Sequence, residues 1–132
     1  MPTQNPRTAD AMATWYGPAS VIGMSVRKVG KATILDLIDS LTWDRSAERF
    51  KGKILELLGA GAADFAINLS RVSYIDSTGI GTLLAAYNLI RKAGGTCRFF
   101  AAQEHVLLTL KRVNLDKVFT IFDDEAAAVS SC

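Results

Sequence analysis

A chain of 132 residues, 49% hydrophobic and 21% charged, holds enough apolar material for one core and is too short for two ordinary domains. The apolar fraction excludes a chain disordered throughout. Lys and Arg number 15 against 13 Asp and Glu, a formal net charge of +2 that argues against nucleic acid as a partner, since such binders carry a denser basic stripe.

Residues 1–18, with Pro2, Asn5 and Pro6, read as a flexible N-terminal extension anchored at most by Trp15 and Tyr16. They show no basic start followed by an apolar core, so they do not read as a signal peptide. The alternation of Ile22, Met24 and Val26 with Gly23, Ser25 and Arg27 predicts a half-buried strand. A turn at Lys28 to Lys31 leads into a second strand at Thr33 to Ile38, and the short link makes the pair antiparallel. Asp44 to Ser46 start a helix that places Phe50, Ile54, Leu57 and Leu58 on one face, and Gly59 and Gly61 end it. Phe65, Ile67 and Leu69 alternate as a third strand. Ile80, Leu83, Leu84 and Tyr87 mark a second amphipathic helix, stopped by Gly94 and Gly95. A fourth strand, Cys97 to Ala101, precedes a third helix with Val106, Leu107, Leu110 and Val113 on its apolar face. Val118 to Phe122 is a last short strand and Asp123 to Ser130 a terminal helix with acidic residues at its start. The order predicts one α/β domain over residues 19–131: a small mixed β-sheet, hairpin first and parallel strands after, flanked by about four helices.

No apolar run reaches the roughly 18 residues of a membrane span, so no membrane insertion is expected. Cys97, beside Phe99 and Phe100, reads as a buried free thiol, and Cys132 as a mobile, exposed one; both suit a reducing cytoplasm.

The most informative stretch is Ser73-Tyr74-Ile75-Asp76-Ser77-Thr78-Gly79-Ile80-Gly81, where the third strand turns into the second helix. A helix N-terminus presents unpaired N–H groups and partial positive charge, so a negative group is stabilised there. Ser77 and Thr78 put hydroxyls at that spot, and Gly79 and Gly81 let another surface approach. Simple capping by Asp76 to Thr78 explains the same residues equally well. Other chemistries fit less. Gly79-Ile80-Gly81 lacks the third glycine of a dinucleotide fingerprint, because residue 84 is Leu84. Thr82 follows Gly81 without the lysine of a phosphate loop. Ser77 as a hydrolytic nucleophile has no positioned base, and His105 reads as a surface helix residue.

Asp76-Ser77-Thr78-Gly79-Ile80-Gly81, preceded by Asn68-Leu69-Ser70 and Val72-Ser73-Tyr74-Ile75, resembles the signature of the STAS family, which includes the anti-sigma factor antagonists and domains of sulfate transporters. Arg91-Lys92-Ala93-Gly94-Gly95 and the segment from Val113 to Ala126 resemble later parts of the same family, so the likeness spans roughly residues 22 to 130. It implies a small mixed sheet with helices to one side. It also implies a phosphate acceptor at Ser77, with Thr78 secondary, and a partner-binding surface of Asp76, Ser77, Thr78, Gly79, Ile80 and Gly81, extended by Asp39 and Thr42 after the second strand. The chain departs from the family pattern at Ile38-Asp39-Ser40-Leu41-Thr42, where a glycine is common, and at Asn68, where an aspartate is common.

The implied function is that of an anti-sigma factor antagonist. Unphosphorylated, it binds a serine kinase that doubles as an anti-sigma factor and so releases a sigma factor; phosphorylation at Ser77 inactivates it, and a phosphatase resets it. On this reading the chain is not itself an enzyme, holds no cofactor and is cytoplasmic. A homodimer through the exposed hairpin edge stays open. The alternative is a STAS scaffold subunit of a stress-signalling complex or lipid-transport system, without phosphate switching.

Overall fold

Alternating apolar positions build the sheet. In the computed structural model, which describes residues 23–41 and 45–132 and the side chains of these apart from 39–41 and 45–47, β1 (Gly23–Val29) and β2 (Ala32–Leu41) form an antiparallel hairpin. Gly30 closes it at φ +59°, a conformation glycine adopts freely. Then follow α1 (Arg45–Gly59), β3 (Asp64–Ile75), α2 (Ser77–Lys92), β4 (Thr96–Phe100), α3 (Glu104–Arg112), β5 (Thr120–Phe122) and α4 (Glu125–Ser130). The strands lie in chain order across one sheet, and β2 through β5 run parallel. This is the mixed α/β sheet, hairpin first, that the element order predicts. The expected extension of residues 1–18, with Trp15 and Tyr16, lies outside the described residues, as do Ile22, Thr42 and Asp44.

The sheet is covered on both faces. Leu35, Leu37, Phe65, Ile67, Leu69 and Phe99 point one way and meet Phe50 and Ile54 of α1, Leu83 and Ile90 of α2, and Val106 and Leu110 of α3. Ala32, Ile34, Ala66 and Phe100 point the other way, where Ala128 of α4 closes a smaller cluster. Three helices thus share one side, as expected, and α4 stands opposite them. That explains why Phe65, Ala66 and Ile67 are all buried in succession: a central strand under helices on both faces has no wet side.

Some local expectations need correction. Val113 is 49% exposed because α3 stops before it; Asn114 turns the chain at φ +62°, and a 3-10 turn at Leu115–Lys117 buries Leu115 instead. Val118 is likewise exposed, so β5 starts only at Thr120. Val26 faces solvent on the edge strand β1. Cys97 is a buried free thiol, pushed up to about 12 by loss of hydration. Cys132 is not an exposed tail thiol: it is half-buried against the α4 cluster, with Sγ 3.7 Å from the Ala128 carbonyl.

A polar network ties the hairpin edge to α4. Arg27 Nε donates to Asp36 Oδ2 at 2.6 Å, and its Nη2 donates to Asp36 Oδ1 at 2.9 Å and to Glu125 Oε1 at 2.7 Å. Asn68 Nδ2 adds a bond to Asp36 Oδ1 at 2.7 Å, which an ionised aspartate at position 68 could not donate. The Arg27 guanidinium, above all, and Asn68 hold the Asp36 carboxyl below its ordinary 3.8, against the opposing effect of partial burial. The unfolded chain therefore takes up this proton first as the solution is acidified. The stability that the ionised Asp36 contributes is complete above that value and drains away as pH falls below it. Asp36→Asn is expected to lower Tm at neutral pH and to flatten the decline of Tm as the solution is acidified below the ordinary carboxylate range, as measured by thermal scans at successively lower pH.

Candidate functional site

Asp76 sits at the N-cap of α2 in extended backbone, φ −103° and ψ −176°. Its Oδ1 accepts from the Gly79 amide at 2.8 Å, and its carbonyl accepts from the Ile80 amide at 2.9 Å. Ser77 and Thr78 are therefore the first two helical residues, and their amides have no intrahelical acceptor. Both residues are exposed, and Thr82 Oγ1 donates back to the Thr78 carbonyl at 2.8 Å. The residues singled out in the sequence fall into two layers. Ser77, Thr78 and Gly81 form the exposed surface, while Asp76 and Ile80 are half-buried and Gly79 is buried. Asp39 lies near the end of β2, in register with Val72 on β3; its side chain, and Thr42 entirely, are outside the described residues.

Gly81 has no packing reason to be glycine. A Cβ there would meet no atom within 4 Å, and its backbone is ordinary helix. Glycine inside a helix costs about 0.5–1 kcal/mol relative to alanine. Gly81→Ala is therefore expected to raise the stability of the isolated chain by up to about 1 kcal/mol in urea unfolding. A residue that sacrifices helix stability on an exposed face leaves that face flat and able to be approached closely.

What delivers this surface is the irregular end of β3. Between the pairs Asp36↔Asn68 and Ile38↔Arg71, β2 advances two residues and β3 three; between Asp39↔Val72 and Ser40↔Tyr74, β2 advances one and β3 two. Each bulge puts an extra residue into β3 and re-phases the strand. The inward series Phe65, Ile67, Leu69 therefore continues at Val72 and Ile75, both buried, rather than at Arg71 and Ser73. Tyr74 is left 55% exposed, two residues before Asp76.

Ser70 and Ser73 both lack a partner in the β2 ladder, and α3 captures their carbonyls. Gln103 Nε2 donates to the Ser70 carbonyl at 2.9 Å, and His105 Nε2 meets the Ser73 carbonyl. The carbonyl can only accept, so this nitrogen carries the proton. His105 is exposed on a helix, as the sequence predicts, but it also braces the strand that carries the site. Gln103, His105 and Tyr74 are the residues at the site that sequence reasoning missed. Bonds across 32 or 33 positions leave no trace in local periodicity, and only the bulges bring Tyr74 outward.

The candidate site is an exposed surface at a helix start, where Asp76 Oδ1 is engaged as the cap and His105 Nε2 on the Ser73 carbonyl. Among the described residues, no group of three or more His, Cys, Asp or Glu could hold a metal ion, and no helix is long and apolar enough to cross a membrane. A cavity of about 290 Å³ opens beyond the carboxyl ends of β4 and β5, between Leu107 and Phe122, and no residue from Asp76 to Gly81 lines it.

Comparison with known proteins bears on the family and the fold. The STAS domain profile matches residues 24–128. The anti-sigma-B factor antagonist of Bacillus subtilis (strain 168) is 30% identical over 76 residues, covering 58% of this chain and 69% of that protein. A crystal structure of a Thermotoga maritima protein, provisionally named an anti-sigma factor antagonist, is 26% identical, covers 82% of this chain and 92% of its own, and superposes with a TM-score of 0.76. The Bacillus cell fate determinant SpoIIAA in its phosphorylated form, 18% identical, shares the fold with a TM-score of 0.65 over 83% of this chain and 98% of its own.

Proposed function

Because the chain belongs to the STAS domain family, we propose that it is an anti-sigma factor antagonist whose docking surface is switched by phosphorylation of Ser77. Unmodified, the exposed face of Ser77, Thr78 and Gly81, with Tyr74 beside it, docks on a serine kinase that is also an anti-sigma factor, and the sigma factor held by that kinase is freed. The kinase brings ATP and magnesium. Its own base takes the hydroxyl proton, the Ser77 Oγ–P bond forms as the bond between the β and γ phosphates breaks, and ADP leaves. A phosphatase later hydrolyses the ester and restores the hydroxyl. The chain supplies the acceptor and the surface, not the catalysis, and acts in the cytoplasm.

The observation that carries this reading is the placement of an exposed hydroxyl at the first residue of a capped helix. There the amides of Ser77 and Thr78 stabilise added negative charge without disturbing the fold. The relatives support it as well: one is an anti-sigma-B factor antagonist, and a structural neighbour is known in phosphorylated form. The test is phosphate mapping by mass spectrometry after incubation with ATP and serine kinases of the anti-sigma type from the same genome. Phosphate on Ser77, lost in Ser77→Ala, is expected. No phosphate, or phosphate away from both Ser77 and Thr78, would leave only the scaffold role.

A further inference from the structure

We infer that Gln103 and His105 are positioning residues that set how Ser77 is presented to the kinase. The inference rests on the phosphorylation reading above and goes beyond it to residues that lie outside the Asp76–Gly81 motif.

The argument begins with the backbone. A strand that gains two residues against its neighbour has two carbonyls that the ladder does not engage, and such a strand end is free to re-aim unless something else holds it. In β3 the two shifts leave Ser70 and Ser73 without a register partner on β2, seven and four positions before Ser77. Each carbonyl is met by a side chain from the same place, the start of α3: Gln103 at its N-cap and His105 in its first turn. Gln103 has no capping bond to its own helix, so its amide group serves β3 instead. Val106 and Leu110 anchor α3 in the core, which makes it a rigid post against which the strand end is pinned. Between Ser73 and Ser77 stand only Tyr74, the buried Ile75 and the cap Asp76. The direction of the Ser73 peptide therefore governs the position of the helix N-terminus. An acceptor hydroxyl must reach in-line geometry at the γ-phosphate, and misplacement by about 1 Å costs on the order of a hundredfold in rate.

The variants separate positioning from mere stability. Gln103→Glu keeps the shape and loses the donor. His105→Leu removes the donor, and His105→Gln returns an N–H of similar reach. In phosphorylation of the full chain by a serine kinase of the anti-sigma type that modifies the wild type, Gln103→Glu and His105→Leu are each expected to lower kcat about tenfold with little change in KM, because the docking face is intact while the hydroxyl is mis-aimed. Their combination should lower kcat further, and His105→Gln should recover most of the wild-type value. A purely structural role would lower Tm without the kcat effect or the rescue, and that result would overturn the inference. If the wild-type chain accepts no phosphate, the phosphorylation reading itself fails. Amide hydrogen exchange then decides the positioning alone: faster exchange at Ile75 to Ile80 in His105→Leu, reversed in His105→Gln, supports it, and unchanged protection overturns it.

Discussion

Ser77→Asp is expected to lose binding to the kinase partner by two or more decades in Kd, while Ser77→Ala binds within a few-fold of wild type. The reason is an asymmetry between the free and docked states. In the free chain, an acidic group at the first position of α2 is solvated and lies at the positive end of the helix, so Tm should stay level or rise. In the complex the same group is pressed against a surface shaped for a small neutral hydroxyl. Burying a charge without a partner costs several kcal/mol, and each 1.4 kcal/mol is about tenfold in affinity. Phosphoserine, at about −1.5 to −2 charges, should act more strongly than aspartate. Alanine removes only a hydroxyl from an exposed position and leaves the flat approach at Gly81 unchanged. Isothermal titration of the three forms against the kinase checks this. Equal affinity for Ser77→Asp and wild type would remove the switch and favour a static scaffold.

How much of this was legible in the sequence differs by element, for physical reasons. Helix boundaries were legible because the chain states them locally. Gly61 and Gly94 adopt φ of +98° and +87° just past α1 and α2, and Asp76 and Asp124 are side-chain caps of α2 and α4, whereas α3 begins at Gln103 without a side-chain cap. The apolar faces of α1 and α2 were legible from spacing alone: Phe50, Ile54 and Leu83 are buried, and Leu57, Leu58, Ile80, Leu84 and Tyr87 are partly buried against the same core. The position of the candidate site was legible too, since a cap, two hydroxyls and two glycines in a row are a local pattern. What local pattern could not carry was anything set by packing across the sheet. Alternation at Phe65, Ile67 and Leu69 gives no notice of the bulges that turn Tyr74 outward and leave the Ser70 and Ser73 carbonyls to α3. The half-burial of Cys132 likewise follows from where α4 lands, on the face opposite the other helices, and from no property of its neighbours in sequence.

The adjacent glycines after α2 look alike in sequence and are expected to respond very differently to substitution. Gly94 has φ +87° with open space around it, so Gly94→Ala meets only the left-handed penalty of about 1–2 kcal/mol. Gly95 has no such backbone constraint but is buried, and a Cβ there would stand 2.2 Å from the Ala63 carbonyl oxygen and 3.1 Å from Ile90 Cγ2. Neither neighbour can yield easily. The Ala63 carbonyl accepts from the Thr96 amide at 2.9 Å, the bond that leads into the β3–β4 pairing at Asp64↔Thr96, and the Gly95 amide is itself held by the Ile90 carbonyl at 2.9 Å. To admit one methyl group the turn must part from the start of β3, breaking the register on which the centre of the sheet depends. Gly95→Ala should therefore cost about 3 kcal/mol or more, a large share of the roughly 5–15 kcal/mol that holds a domain of this kind together. Urea unfolding of the two variants, compared at constant m, reads the difference as a shift in midpoint. Equal losses at the two positions would mean that the close approach of Ala63 is not what requires glycine at position 95.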